Sequence, residues 1–98
     1  MSNIGSLHVR GRRTGVMRIV RLRYAITPDG SVLISAGGLS EQWPLNLRAN
    51  PACQFEMGGE VRHYHAIEQS VRRFRLDRVR AGFRISRRLR PSPGGVVG

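Results

Sequence analysis

The chain has 98 residues, a formal net charge of +11, and 17 basic residues against 6 acidic ones; every basic residue is arginine. That length points to one domain with a modest core, and a single cysteine, Cys53, excludes an intrachain disulfide and a cysteine-rich zinc site. No apolar run nears the roughly 18 residues that a bilayer span needs, whereas arginine, with its planar fork of donors, points to an anionic ligand.

Residues 5–11, GSLHVRG, alternate Leu7 and Val9 with polar neighbours and read as a short strand. Gly11 and Gly15 bracket a turn that holds Arg12, Arg13 and Thr14. Residues 17–26, MRIVRLRYAI, form a second strand with Val20, Leu22, Tyr24 and Ile26 on one face. The adjacent pair Ile19 and Val20 breaks the alternation and predicts a bulge. TPDG at 27–30 is a turn, because Pro28 presets its dihedral and Gly30 accepts a positive one. SVLISA at 31–36 is apolar on both faces and predicts a central strand paired with the one before it.

Gly37 and Gly38 end that strand. A short helix is expected over 43–49, with Pro44 in its first turn and Asn50 and Pro51 closing it. Trp43 and Leu47, four apart, share a face of it. ACQFEM at 52–57 points Cys53, Phe55 and Met57 one way, Gly58 and Gly59 make a tight hairpin, and EVRHYHAI at 60–67 returns. Five antiparallel strands with one short crossing helix predict a mainly β fold, a small barrel or half-barrel occupying residues 1–67. Residues 68–98 carry nine of the 17 arginines and only two acids. They read as an arginine-rich tail, irregular or weakly helical, with Val71, Phe74, Val79 and Phe83 as a helical stripe.

GRRTG on a strand-to-strand turn, then Arg18, LRY, SAGG and QWPLNLRANPACQFEMGGE, in that order and spacing, resemble the deazaflavin-dependent nitroreductase family over residues 5–67. The resemblance implies a split β-barrel of the flavin-binding type, coenzyme F420 as cofactor, and hydride transfer to a quinone, a nitro compound or another electron-poor acceptor. It implies that Arg12, Arg13, Thr14 and Gly15, joined by Arg18, hold the coenzyme's phosphate and acidic tail. Arginine forks and turn amides suit such an anion. By the same resemblance Ala36, Gly37 and Gly38 lie against the flat ring, and Trp43 and Asn46 pack and orient it. No side chain is expected to act as nucleophile, since the coenzyme carries the chemistry, and FMN, which shares a ring, a ribityl chain and a phosphate, is the alternative cofactor.

The chain departs from that family in Arg21–Leu22, where proline-leucine is usual, in a short segment before the first strand, and in a tail expected to be altered or truncated. Rival readings are a basic β-barrel binding nucleic acid through Arg72, Arg73, Arg75, Arg78, Arg80, Arg84, Arg87, Arg88 and Arg90, and a noncatalytic cofactor-binding protein. Few aromatic platforms accompany those arginines, so no specific nucleic acid is expected. His63 and His65 share a strand face with only His8 as a further imidazole, and are expected to be structural rather than metal ligands. Cys53 is expected to be a buried small hydrophobe. Exposed strand edges lead to an expected homodimer, and the lack of a signal-peptide core in residues 1–11 to a cytoplasmic setting.

Overall fold

The computed structural model describes residues 3–38 and 40–79. Six strands and one helix follow in the order β1 (Ile4–Arg10), β2 (Met17–Ile26), β3 (Val32–Ser35), α1 (Trp43–Ala49), β4 (Ala52–Met57), β5 (Glu60–Ser70) and β6 (Arg73–Arg78). All neighbours are antiparallel, and the strands close into a barrel in the spatial order β1-β2-β3-β6-β5-β4. The mainly β, one-helix architecture expected from the sequence is therefore what the chain adopts, with a sixth strand added.

The sixth strand corrects the reading of the tail. Val71, Phe74, Val79 and Phe83 do not form a helical stripe: Val71 is exposed in a turn, and Phe74 sits in β6 with Leu76 as its buried companion two residues on. Phe83 lies outside the described residues. β6 pairs with β3 on one side (Ile34 opposite Phe74) and β5 on the other (Ala66 opposite Leu76). Closing the barrel satisfies both edges of β6, which outweighs its arginine-rich composition. β5 likewise runs past Ile67 to Ser70, with an irregularity between Glu68 and Ser70. The bulge expected at Ile19 and Val20 is absent, because β1 and β2 pair without interruption from Ile4 opposite Arg23 to Arg10 opposite Met17. Ile19 simply faces outward, 64% exposed.

Leu7, Val9, Val32, Ile34, Leu47, Phe55, Tyr64, Phe74 and Leu76 fill the barrel, with Val20, Leu22, Tyr24 and Met57 packed against them. Tyr24 and Phe55 pack in a T-shaped arrangement with ring centroids 5.4 Å apart. Gly58 and Gly59, at φ 57° and 81°, make the two-residue hairpin turn between β4 and β5 that demands positive φ at both positions. Helix α1 plugs one end of the barrel. Trp43 and Leu47 are buried on one face as their spacing predicts, and Trp43 packs against Phe74 with centroids 5.7 Å apart. At the helix C-terminus Arg48 pairs with Glu68 at 3.0 Å and donates to the Val71 carbonyl at 2.9 Å, holding α1 over the β5–β6 turn.

The other end is tied by Asp77. Arg75 donates Nε and Nη2 to its two oxygens at 2.9 and 3.1 Å, and the Ser31 hydroxyl donates at 2.8 Å. Arg75 first, then Ser31, hold the Asp77 carboxyl below its ordinary range against the opposing effect of burial. Its folded value lies below its unfolded one, so the stability it contributes is full above about pH 4 and is lost as the pH falls through the folded value. Asp77→Asn is expected to flatten the acid limb of the stability–pH curve below about pH 4, read by urea unfolding at stepped pH. An unchanged limb would remove Asp77 as its source.

One gap in the wall positions the site. β3 pairs only with residues 24–26 of β2, so among the described residues the first seven positions of β2 have β1 as their only neighbouring strand. The barrel is split there, and α1 stands beside the opening.

Candidate functional site

The β1–β2 turn is built by its own backbone. The Gly11 N–H donates to the Val16 carbonyl at 2.8 Å and the Gly15 N–H to the Gly11 carbonyl at 2.9 Å. Gly15 sits at φ 75°, where a side chain would be strained. Arg10 reaches across to the Gly15 carbonyl at 2.7 Å. The Thr14 hydroxyl oxygen accepts from the Val16 N–H at 3.2 Å, which leaves its own hydrogen free to point at a ligand.

Beside this turn, in the gap between β2 and α1, lies a cavity of 550 Å³ lined by Gly11, Arg12, Arg13, Thr14, Arg18, Val20, Arg21, Leu22, Glu41, Gln42, Trp43 and Asn46. Four guanidinium groups face it against one carboxylate. Val20, Leu22 and Trp43 supply an apolar wall. The Glu41 carboxylate accepts from the indole N–H of Trp43 at 2.8 Å, which fixes both groups at the start of α1.

Of the residues assigned from the sequence, Arg12, Arg13, Thr14, Arg18, Trp43 and Asn46 come together on this cavity although 34 positions separate Arg12 from Asn46. Gly15, Ala36, Gly37 and Gly38 do not line it. Gly15 shapes the turn, and Ala36 is buried with its N–H bonded to the Arg72 carbonyl at 2.8 Å. Gly37 adjoins the cavity through Glu41, whose Oε2 would lie 3.2 Å from a Cβ at that position. Sequence reasoning missed Gly11, Val20, Leu22, Glu41, Gln42 and Arg21 as lining residues. Val20 and Leu22 were legible, since they follow Arg18 on the same strand face. Arg21 was not: the alternation of β2 assigns it to the opposite face, yet it lines the cavity.

The cavity gathers four cations and an apolar surface, a combination suited to an anion that carries an apolar part. A model of the family described as F420H(2)-dependent quinone reductase matches residues 1–84. The chain belongs to that family. Coenzyme F420 is accordingly its cofactor and a quinone-type molecule its acceptor class. Solved structures that share this fold include two of low sequence identity. One, an F420-H2 dependent reductase (FDR-A), is 17% identical with a TM-score of 0.61 over 76% of this chain and 94% of that one. The other, described as a domain-swapped dimer, is 19% identical with a TM-score of 0.57 over 76% of this chain and 80% of that one. No curated protein matches the chain at a significant level.

The remaining candidates lie away from the cavity. His63 and His65 share the outer face of β5, where Gln54 lies 3.4 Å from His63, and among the described residues no three metal-ligating groups converge. Cys53 is buried in β4 as expected, and burial pushes its thiol up to about 12. Its labelling by a disulfide reagent at pH 8 is expected to be negligible in the folded protein and immediate on unfolding. Fast labelling of the folded protein would mean that β4 opens locally. The basic residues of β6 belong to the barrel wall: Phe74 is 1% exposed and so presents no platform for a base. Arg80, Arg84, Arg87, Arg88 and Arg90 lie outside the described residues.

Proposed function

We propose that Arg13, Arg18 and Thr14 hold the phosphate end of coenzyme F420, with Arg21 beside them for further negative charge, and that Val20, Leu22 and Trp43 cover its apolar part. The residues present fit that group. Arg13, Arg18 and Arg21 are exposed cations that bond to no other described residue, and Thr14 keeps a free O–H. The observation that carries the reading is this meeting of unengaged guanidinium groups and an apolar wall in one cavity. The reduced coenzyme, when bound, supplies a hydride.

The protein's own part is binding, orientation and exclusion of water. Charge-assisted bonds from Arg13 and Arg18 anchor the anionic end. Trp43, held by Glu41 and packed on Phe74, is a rigid wall rather than a mobile side chain. A quinone that accepts a hydride takes up one further proton, drawn from solvent, to become the quinol. The acceptor is a quinone or a comparably electron-poor molecule, such as a nitro compound.

The titration that tests this uses Trp43, the sole tryptophan. Its fluorescence is followed while coenzyme F420 is added, with FMN as a competitor. Reduced coenzyme is then mixed with a soluble quinone and the return of the oxidised chromophore recorded. Saturable quenching with turnover supports the reading. Steep salt-dependent binding to DNA with no response to the coenzyme overturns it.

A homodimer follows from the same strand. β2 exposes Met17 and Ile19, one of its edges has no strand partner over residues 17–23 among the described residues, and Val16 beside it is 56% exposed; such surface is normally covered. One similar solved structure is described as a domain-swapped dimer. No described helix is long and apolar enough to cross a membrane.

A further inference from the structure

Arg12 differs from the other three arginines at the cavity. Its backbone N–H and its Nη1 both donate to Asn46 Oδ1, at 3.1 and 2.7 Å, and its Nη2 donates to Gln42 Oε1 at 2.9 Å. Gln42 and Asn46 are one helical turn apart, so their two oxygens stand on one face of α1, spaced for a planar fork. Asn46 is 7% exposed, and a buried amide oxygen requires such partners. On the strand side Asn50 Nδ2 donates to the Arg10 carbonyl at 3.3 Å, a second tie between the same two elements.

We infer that Arg12 is a positioning residue: it fastens the β1–β2 turn to the start of α1 through Asn46 and Gln42, and so presents Arg13, Thr14 and Arg18 to the anion without pairing with the anion itself. This rests on the cofactor reading above and divides the labour within it. Both terminal nitrogens of Arg12 are committed to side-chain oxygens of the helix. The turn that carries Arg13 and Thr14 has no strand partner of its own, so the clamp is what relates those donors to the wall formed by Trp43. A ligand that meets a preformed anion site does not have to order it.

The roles of clamp and direct ligand separate in a cycle of Arg12→Ala, Asn46→Ala and the double variant, with Arg12→Lys beside them. Binding of coenzyme F420 is measured by calorimetry at two salt concentrations, and amide exchange over residues 11–16 is measured without ligand. Each single variant is expected to weaken binding about tenfold. The double variant is expected to be no weaker than the poorer single one, as for two residues that act as a unit. Arg12→Lys keeps the charge but not the fork, and is expected to fall with Arg12→Ala. The salt dependence of binding is expected to stay that of wild type in Asn46→Ala and Arg12→Lys, which keep every charge, and to fall much less in the two variants that carry Arg12→Ala than it does in Arg13→Ala, because the Arg12 guanidinium is bonded to α1 and not to the anion. Exchange over residues 11–16 is expected to speed up equally in Arg12→Ala and Asn46→Ala.

Additive losses, rescue by Arg12→Lys, or a salt dependence flattened in Arg12→Ala as far as in Arg13→Ala would make Arg12 a direct ligand and overturn the inference. Unchanged exchange in both single variants would overturn it as well. Wild-type protein that ignored the coenzyme would instead sink the cofactor reading, while the exchange measurement would still decide whether the clamp exists.

Discussion

Arg13→Ala combined with Arg18→Ala is expected to weaken coenzyme F420 binding by about 10²–10⁴-fold while leaving the fold intact. The magnitude follows from chemistry: a hydrogen bond to a charged group contributes about 1.5–3 kcal/mol, and two such contacts are removed. The fold is spared because both side chains are exposed and bond to no other described residue. Substitutions at such positions usually move stability by no more than about 0.5 kcal/mol. Thinning a cluster of four like charges at one cavity also relieves their mutual repulsion. Titration of the double variant at two ionic strengths checks both halves, since binding that remains should have lost most of its salt sensitivity. Binding within threefold of wild type would move the anion site elsewhere. The second cavity, of 890 Å³ at the opposite end of the barrel, offers no comparable alternative: it places Asp29 and Asp77 among Arg62, Arg75 and Arg78, and Arg75 is already paired.

Which parts of this molecule were legible depended on how many physical signals agreed at one place. β4 combines strict alternation at Cys53, Phe55 and Met57 with Pro51 before it and two glycines after it, and the structure reproduces residues 52–57. α1 was fixed by Pro44 at its start and Asn50 at its end, with Trp43 and Leu47 on one face. β6 offered only two core residues, Phe74 and Leu76, amid arginines, and Val71, Phe74, Val79 and Phe83 imitated a helical spacing. The signal that decides β6 is nonlocal: β3 and β5 each present an open edge, and an edge left bare costs more than arginine in a strand. The site shows the same contrast. The turn donors and the helix residues are 34 positions apart in the case of Arg12 and Asn46, and no local pattern joins them. Family resemblance did so, because it carries register. It could not say that Arg12 is already engaged by the helix, since that follows from where Gln42 and Asn46 point once α1 is docked.

Phe55→Ala is expected to cost about 3–5 kcal/mol, as large aromatic truncations in a closed core do. A domain of this size has about 5–15 kcal/mol in total, so the variant should unfold near ambient temperature or at a sharply reduced urea midpoint. Phe55 is fully buried at the seam where β1 closes onto β4, a seam of only three paired positions, Ser6 to His8 against Glu56 to Gln54. The Tyr24 ring also packs against it in a T-shaped arrangement. Gly5 adjoins this seam, against Phe55 and Glu56. A Cβ there would lie 2.5 Å from Phe55 Cε2 and 2.6 Å from the Glu56 backbone oxygen. Gly5→Ala must therefore push the ring aside and part the two strands. Removing the ring relieves the first conflict but not the second, because the carbonyl belongs to the ladder. The double variant Gly5→Ala/Phe55→Ala is thus expected to be less stable than Phe55→Ala alone, measured as a shift in urea midpoint at constant slope. If the two midpoints coincide, the ring alone makes Gly5 necessary, and the approach of the strands at the closing seam is not what limits the barrel.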